Sequence, residues 1–164
     1  MPISQLKKLQ KLFDVGCLKF DVGCCREYQN FHIMATITKF EDLEIWKLAR
    51  EQAKEIYKLT KDGSFAKDFD LKNQINASAG SAMDNIAEGF ERFTNKEFSQ
   101  FLVISKGSNG EVRSQLYRAF DKGHITEEIL KMRLEFSVML GNKIKSFLDY
   151  LQSSKYKTKP RMKD

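Results

Sequence analysis

Proline is confined to the two ends of this sequence, and that distribution limits the fold more than any other feature. Pro2 and Pro160 are its two prolines, so residues 3–159 contain none. A proline inside a helix removes a backbone hydrogen bond and costs about 3 kcal/mol, so its absence permits long helices. From Phe40 onward, apolar residues recur at spacings of three and four, the pattern of a helix with one buried face. The sequence predicts four helices, at about residues 41–59, 71–93, 94–122 and 126–152.

Short connections separate these predicted helices, and they indicate the fold class. Connections of roughly 2–10 residues place consecutive helices side by side and antiparallel. A chain of 164 residues supports one domain of this kind. We therefore expect an all-α, antiparallel up-down-up-down four-helix bundle over residues 39–152.

Local signals add detail to the predicted helices. Thr38 with Glu41, and Thr94 with Glu97, have the spacing of a capping box, in which each side chain serves the other residue's free backbone N–H. Two glycines lie inside the third helix, where each costs about 0.5–1 kcal/mol relative to alanine, so we expect a tight contact with a neighbouring helix to compensate. These glycines are Gly107 and Gly110. The predicted buried faces include Tyr57, Ile104, Phe120, Met132 and Met139.

The segments on either side of the bundle differ from it in composition. Residues 1–38 form a predicted N-terminal extension, in which the sequence FDVGC occurs at residues 13–17 and again at residues 20–24. One hypothesis is that translation in the cell begins at Met34, so that residues 1–33 are an upstream extension or leader. The alternative is a genuine, partly ordered arm. Within residues 153–164, Lys or Arg occupies every second position from 155 to 163, and few residues are apolar. This segment is predicted to be a disordered basic tail.

The net charge of +6 is concentrated in these end segments. Residues 1–33 hold five Lys or Arg against three acids, and residues 153–164 hold five against one. The bundle between them is neutral, so the sequence pI of about 9.2 does not by itself indicate a polyanion-binding body. No apolar run is long enough to span a membrane, and all three cysteines fall within residues 17–25. We expect a cytoplasmic protein without a disulfide framework.

The residue patterns that carry catalysis or bind metals do not occur in this sequence. The two histidines, His32 and His124, lack the paired Glu-x-x-His units of a di-iron bundle. Neither a phosphate-binding glycine-rich loop nor a Cys-x-x-Cys pair is present. Arg118 and His124 have five residues between them, not the four of the Arg-x-x-x-x-His pair in some helical ribonucleases. We predict a non-catalytic protein with no metal, no cofactor and no assembled set of nucleophile, base and orienting group.

One candidate site is a cluster of polar residues within the apolar pattern of the second and third helices. Residues three apart share a helix face, so polar groups on one helix can reach matching groups on its neighbour. One interpretation is a hydrogen-bonded polar layer that fixes helix register or a subunit contact, and the alternative is a ligand or RNA site. The members of this predicted structural polar layer are Asn85, Glu88, Ser108 and Glu111.

The second candidate site is a basic series that could contact phosphates. Its alternative is an ordinary solvated face, paired with the acids nearby. No aromatic residue interleaves the basic ones in the manner of a base-stacking surface, so binding is predicted to be electrostatic, salt-sensitive and tolerant of sequence. The helical members of this series are Arg92, Lys96, Lys106, Arg113, Arg118 and Lys122, and the predicted tail adds Lys155, Lys157, Lys159, Arg161 and Lys163.

Four motifs in order give the sequence a resemblance to a known family. Residues 40–49 (F-x-D-L-x-I-W-x-x-A), 71–75 (L-x-x-Q-I), 81–89 (SAMDNIAEG) and 106–111 (K-G-S-x-x-E) resemble motifs of the 23S rRNA intervening-sequence protein family, also called four helix bundle proteins. The resemblance covers about residues 39–152. Ala82 departs from the usual isoleucine, and Gly110 with Val112 departs from the usual surroundings of the last motif.

This resemblance implies a four-helix bundle that is often a homopentameric ring. It also implies nucleic-acid binding in some relatives, which include the accessory variability determinants of diversity-generating retroelements. The family has no established catalytic residues to carry over. We therefore expect a homo-oligomer, preferably a pentamer, that binds RNA or DNA as an accessory factor to an RNA or a reverse transcriptase. The alternative is a protein-interaction or structural scaffold with no nucleic-acid role.

Overall fold

Four helices account for most of the chain that a computed structural model describes, which is residues 37–92 and 94–153. No strand occurs within those two ranges, so the prediction of an all-α protein with four helices is confirmed. No helix there is long and apolar enough to cross a membrane. The predicted basic tail from Ser154 onward and residues 1–36 of the predicted extension lie outside the described residues. The helices are α1 (Glu44–Lys61), α2 (Phe69–Phe90), α3 (Asn95–Asp121) and α4 (Glu127–Ser153), with short 3-10 turns at Phe40–Asp42 and Phe65–Lys67.

Side-chain caps fix where two of the helices begin. The Thr94 hydroxyl accepts from the Glu97 backbone N–H at 3.1 Å, which confirms the predicted cap by Thr94, and it donates to the Glu97 carboxylate at 2.8 Å. The Asp68 carboxylate accepts from the backbone N–H of Leu71 at 3.2 Å and caps α2 in the same way. Each cap satisfies a backbone donor that the first helical turn cannot.

The predicted capping box at Thr38 and Glu41 is wrong. The chain forms a 3-10 turn there, and α1 begins three residues later, at Glu44. Leu43 precedes it with an extended backbone (φ −64°, ψ 125°) and no capping side-chain hydrogen bond. Its side chain is 2 % exposed. Burial of Leu43 therefore fixes the chain at this point, rather than a polar cap.

The helices α2 and α3 are antiparallel, as their hydrogen-bonded pairs show. Ser78 on α2 bonds to Glu111 on α3, and Ser105 on α3 donates to the carbonyl of Ala82 at 2.7 Å. Position along α2 rises while position along α3 falls, which is the order of antiparallel neighbours. The small residues of α2 allow this approach, and Gly89 is a point of close contact. A Cβ at Gly89 would lie 2.6 Å from the Phe98 ring.

Contacts of α4 complete the packing around a shared core. α4 is antiparallel to α3, because the ring of Phe147 lies 5.5 Å from that of Phe98 while Ser137 bonds to Asn109. Lys143 of α4 pairs with Glu44 of α1 at 2.7 Å. The residues fully enclosed between the helices include Ile56, Leu71, Ile75, Ile86, Leu102, Leu116, Leu140 and Ile144, and Phe65 of the second 3-10 turn closes one end.

Several residues at the margins of the predicted buried faces are exposed instead. A residue at the edge of an apolar stripe faces a groove between helices, where the neighbour's distance decides whether it is covered. The exposed fractions are 60 % for Tyr57, 51 % for Ile104 and Met132, and 38 % for Phe120 and Met139.

The prediction of a tight contact at Gly107 and Gly110 is also wrong. A Cβ built at either glycine meets no atom within 4 Å. Both lie on the exposed side of α3, so packing among the described residues explains neither glycine.

Candidate nucleic-acid interface

The predicted basic series divides into two groups according to what its side chains contact. Three members are engaged with groups on or near α2. Arg92 pairs with Glu88 and lies 4.8 Å over the ring of Phe101. Lys122 pairs with Asp68 at 2.5 Å. The third, Arg118, donates to the Gln74 side chain at 2.8 Å. These three cations serve to hold α2 and α3 together.

The other three helical members, Lys96, Lys106 and Arg113, have no charge partner among the described residues. All three are exposed, and within residues 37–92 and 94–153 none of them forms an ion pair. Lys96 lines an open depression at the start of α3, together with Val103 and the end of α4. An unpaired cation in water can approach a phosphate without first breaking an internal bond, so this group is the better candidate for polyanion contact.

Lys106 and Arg113 share one face of α3 with an aromatic residue. Lys106, Gly110, Arg113 and Tyr117 follow one another at spacings of four, three and four, which places them on a single helix face. We call these four residues the α3 stripe. Tyr117 is 51 % exposed. The prediction that no aromatic residue interleaves the basic ones in the manner of a base-stacking surface overlooked Tyr117, and the i to i+4 spacing of Arg113 and Tyr117 was the available signal.

Two members of the predicted polar layer do cross between helices. Ser108 of α3 lies 2.9 Å from the hydroxyl of Ser81 on α2. Ser78 on α2 donates to the Glu111 carboxylate at 2.9 Å. The Glu111 charge is thus directed toward α2 and away from the α3 stripe. These bonds fix the register of the two helices, since a shift of either would separate both pairs at once.

The other two members of the predicted layer bond within their own helix. The Asn85 side chain donates to the carbonyl of Ser81, one turn earlier in α2, at 2.7 Å. Glu88 is exposed and pairs with Arg92 just past the helix end. The expectation that Glu88 reaches the third helix is wrong, because its position on α2 turns it toward solvent.

A buried polar cluster that the sequence patterns did not predict lies between α1, α3 and α4. Asn109 accepts at its side-chain oxygen from Gln52 at 3.0 Å and from the Ser137 hydroxyl at 2.7 Å, and it donates to the Ser137 carbonyl at 2.8 Å. All three side chains are at most 3 % exposed. Gly141 makes room for Asn109, because a Cβ there would lie 3.2 Å from the amide nitrogen. The cluster joins three helices at one level.

A serine, a histidine and an aspartate meet at the end of the molecule where two connections lie. His124, which follows α3, is 2.9 Å at Nδ1 from the Ser64 hydroxyl and 3.1 Å at Nε2 from Asp68. Its ring stacks on Phe65 at 5.1 Å. The neutral ring with its proton on Nε2 satisfies both bonds. The sequence patterns predicted that no nucleophile, base and orienting group would come together. The positions of these three side chains show that this prediction is wrong, because folding brings together residues about 60 positions apart.

The charge arrangement around Asp68 favours a structural role for this cluster. The same oxygen that faces His124 also accepts from Lys122 at 2.5 Å, and the other oxygen caps α2. An ammonium there offsets the negative charge that would stabilise an imidazolium during catalysis. Hydrogen bonds from Lys122, His124 and the Leu71 N–H, in that order, lower the pKa of Asp68 to about 2. We call Ser64, Asp68, Lys122 and His124 the clasp, because they tie the two connections together.

Among the described residues, the acids outside the clasp do not gather into a metal site. No group of three or more His, Cys, Asp or Glu residues that could hold an ion occurs in the described part of the chain. The clasp and the ion pairs instead use their carboxylates for lysine, arginine and helix termini.

Comparisons with known proteins place this helical chain in a family. A solved structure from Bacteroides thetaiotaomicron, described as a protein with unknown function from the S23 ribosomal protein family, has a similar fold, with a TM-score of 0.55. It is 21 % identical, and the similarity covers 63 % of this chain and 97 % of that one. No curated protein sequence matches this chain. The model of the family described as 23S rRNA-intervening sequence protein matches residues 41–146. The chain belongs to the 23S rRNA-intervening sequence protein family.

Proposed function

We propose that this protein is a non-catalytic, oligomeric four-helix-bundle protein that binds nucleic acid electrostatically through α3. The observation that carries the proposal is the pair Lys106 and Arg113, which are exposed, unpaired within the described residues and on one helix face. Phosphate neutralisation by such cations releases counterions and supplies sequence-independent affinity. In the cell, the ligand would be a structured RNA or the nucleic acid of a reverse-transcriptase system.

Oligomerisation is the second part of the proposal. In this proposal, the four helices form an antiparallel up-down-up-down bundle, and several such chains associate, preferably as a pentamer. Exposed apolar side chains support association, because a subunit contact would remove them from water: Phe69, Val103 and Met132 are each more than half exposed. A ring of subunits would present Lys106 and Arg113 once on each subunit. It would raise affinity by avidity where one nucleic-acid strand reaches several subunits. Light scattering that returns the monomer mass at micromolar concentration contradicts this part.

The alternative is a cytoplasmic scaffold that binds proteins and no nucleic acid. The same exposed apolar side chains and the neutral charge of residues 34–152 favour it. Under this alternative, Lys106 and Arg113 are ordinary solvated cations with no ligand. The two functions differ in their response to charge reversal, which gives a direct test.

The test uses charge reversal on two faces of the same helix. Lys106→Glu with Arg113→Glu should weaken binding of labelled RNA and DNA, and should reduce the slope of log affinity against log salt by about one for each phosphate that is no longer neutralised. Arg118→Glu is the matched control for Arg113→Glu, because Arg118 is already bonded to Gln74. Equal weakening by the Arg113 and Arg118 variants would show that only net charge matters. If the unaltered chain shows no salt-dependent binding of RNA or DNA, the scaffold function is the one that remains.

A further inference from the structure

The α3 stripe has a shape and composition suited to an extended strand. Its four residues span twelve positions of the helix, and the eleven steps between the first and last amount to about 16 Å at 1.5 Å per residue. Lys106 and Arg113 lie two turns apart, with Gly110 between them. Because a Cβ at Gly110 meets nothing, the helix surface between the two cations is bare backbone that a ligand can approach closely.

Tyr117 extends this stripe with an exposed aromatic ring. It is 51 % exposed, and in the described part of the chain it makes no hydrogen bond, ring contact or cation–π contact. Other cations do use aromatic partners: Arg50 lies 5.7 Å over Trp46, and Lys72 lies 5.8 Å over Phe69. Arg113 has no such contact with Tyr117, so the guanidinium and the ring are both available to a ligand.

A ring beside two cations distinguishes between kinds of nucleic acid. Lys and Arg contact phosphates of any strand, whereas an aromatic side chain binds the face of a base. In a duplex these faces are stacked on neighbouring base pairs and cannot reach a protein side chain. In a single strand they are accessible, and each base–aromatic stack contributes about 1–3 kcal/mol. A protein surface or a second copy of this chain would need acids opposite Lys106 and Arg113, whereas every nucleotide supplies its own phosphate.

We propose that the α3 stripe binds single-stranded nucleic acid, with Lys106 and Arg113 on successive phosphates and Tyr117 stacked on a base. This inference rests on the proposed function and makes it more specific, because electrostatic binding alone does not distinguish single strands from duplexes. Tyr117 is the residue that sets the preference for single strands.

The experiment compares three labelled probes on the full chain. They are an unstructured RNA of about 20 nucleotides, its duplex with the complementary strand, and an abasic strand of the same length. Tyr117→Ala should weaken binding of the intact single strand about 5- to 150-fold and leave the duplex and the abasic strand unchanged. Tyr117→Phe should retain affinity, because the ring is kept. Tyr57→Ala removes another exposed tyrosine, on α1, and should have no effect.

The outcomes separate this inference from the function on which it rests. If Arg113→Glu weakens the single strand and Tyr117→Ala does not, stacking is overturned while electrostatic binding stands. An equal drop in duplex and single-strand affinity in Tyr117→Ala also overturns stacking. If no probe binds, both proposals fail. Circular dichroism and light scattering on each variant confirm that fold and assembly are unchanged.

Discussion

Alanine at Gly89 should destabilise this protein, although alanine is the better helix former. A Cβ there would lie 2.6 Å from the Phe98 ring and 2.7 Å from the Cβ of Phe101, where ordinary carbon contacts are about 3.5–4.0 Å. A ring can rotate away, but the Phe101 Cβ moves only with the backbone of α3. Overpacking of this kind costs about 1–3 kcal/mol, against a helix-propensity gain of about 0.5–1 kcal/mol. We expect a net destabilisation of about 1–2 kcal/mol.

The matched control is the same substitution at Gly107, where the new methyl group meets nothing. That variant should gain about 0.5–1 kcal/mol, because only the propensity term changes. Urea denaturation followed by circular dichroism, at one protein concentration for all variants, measures both free energies of unfolding. If Gly89→Ala is as stable as the unaltered chain, the conclusion that α2 and α3 approach closely at this point is wrong.

Three further changes test the caps, the clasp and the buried cluster. The pKa of Asp68 is lowered to about 2, so the stability that its ionised carboxylate supplies is present above the unfolded-state pKa of about 3.9 and is lost as pH falls toward 2. Asp68→Asn should remove most of this pH dependence between about pH 5 and 2. Acid unfolding curves of both proteins measure the difference. Thr94→Ala removes the cap of α3 and should cost about 0.5–2 kcal/mol in urea denaturation, while Thr94→Ser retains most of it. Asn109→Ala leaves the buried Gln52 amide without its partner and should cost about 1–3 kcal/mol or more, so an unaffected midpoint would contradict the buried network.

The sequence predicted the helices well because their signals are local. Three- and four-residue spacing of apolar residues sets which stretches are helical, and Thr94 with Glu97 marks the start of α3 within four residues. Thr38 and Glu41 are the same residue types at the same spacing, but they do not cap the start of α1. Burial of Leu43, which depends on the rest of the fold, determines the chain path there.

Features that depend on which helix faces which could not be predicted from spacing. Gln52, Asn109 and Ser137 are polar and would be assigned to the solvent side by pattern, yet their mutual hydrogen bonds allow them to be buried together. The bond between Ser64 and His124 joins residues 60 apart, and only the packing of α1 to α4 brings them to the same end.

The candidate site was predicted in part. Helical spacing grouped six cations as one series, but it could not tell Arg118, which is bonded to Gln74, from Arg113, which is not. Pairing depends on the side chains of a neighbouring helix. The exposure of Tyr117 was visible in principle from its spacing to Arg113, because a residue four positions from a solvated arginine shares its face.

The antiparallel hydrogen bonds between α2 and α3 also bear on the order in which the protein can fold. The bond from Ser78 to Glu111 joins residues 33 apart, whereas the pair Glu44 and Lys143, between α1 and α4, joins residues 99 apart. Loop-closure entropy grows with the logarithm of length, so the second contact costs about 1 kcal/mol more to close. The contact between α2 and α3 is therefore easier to close during folding than the contact between the first and last helices.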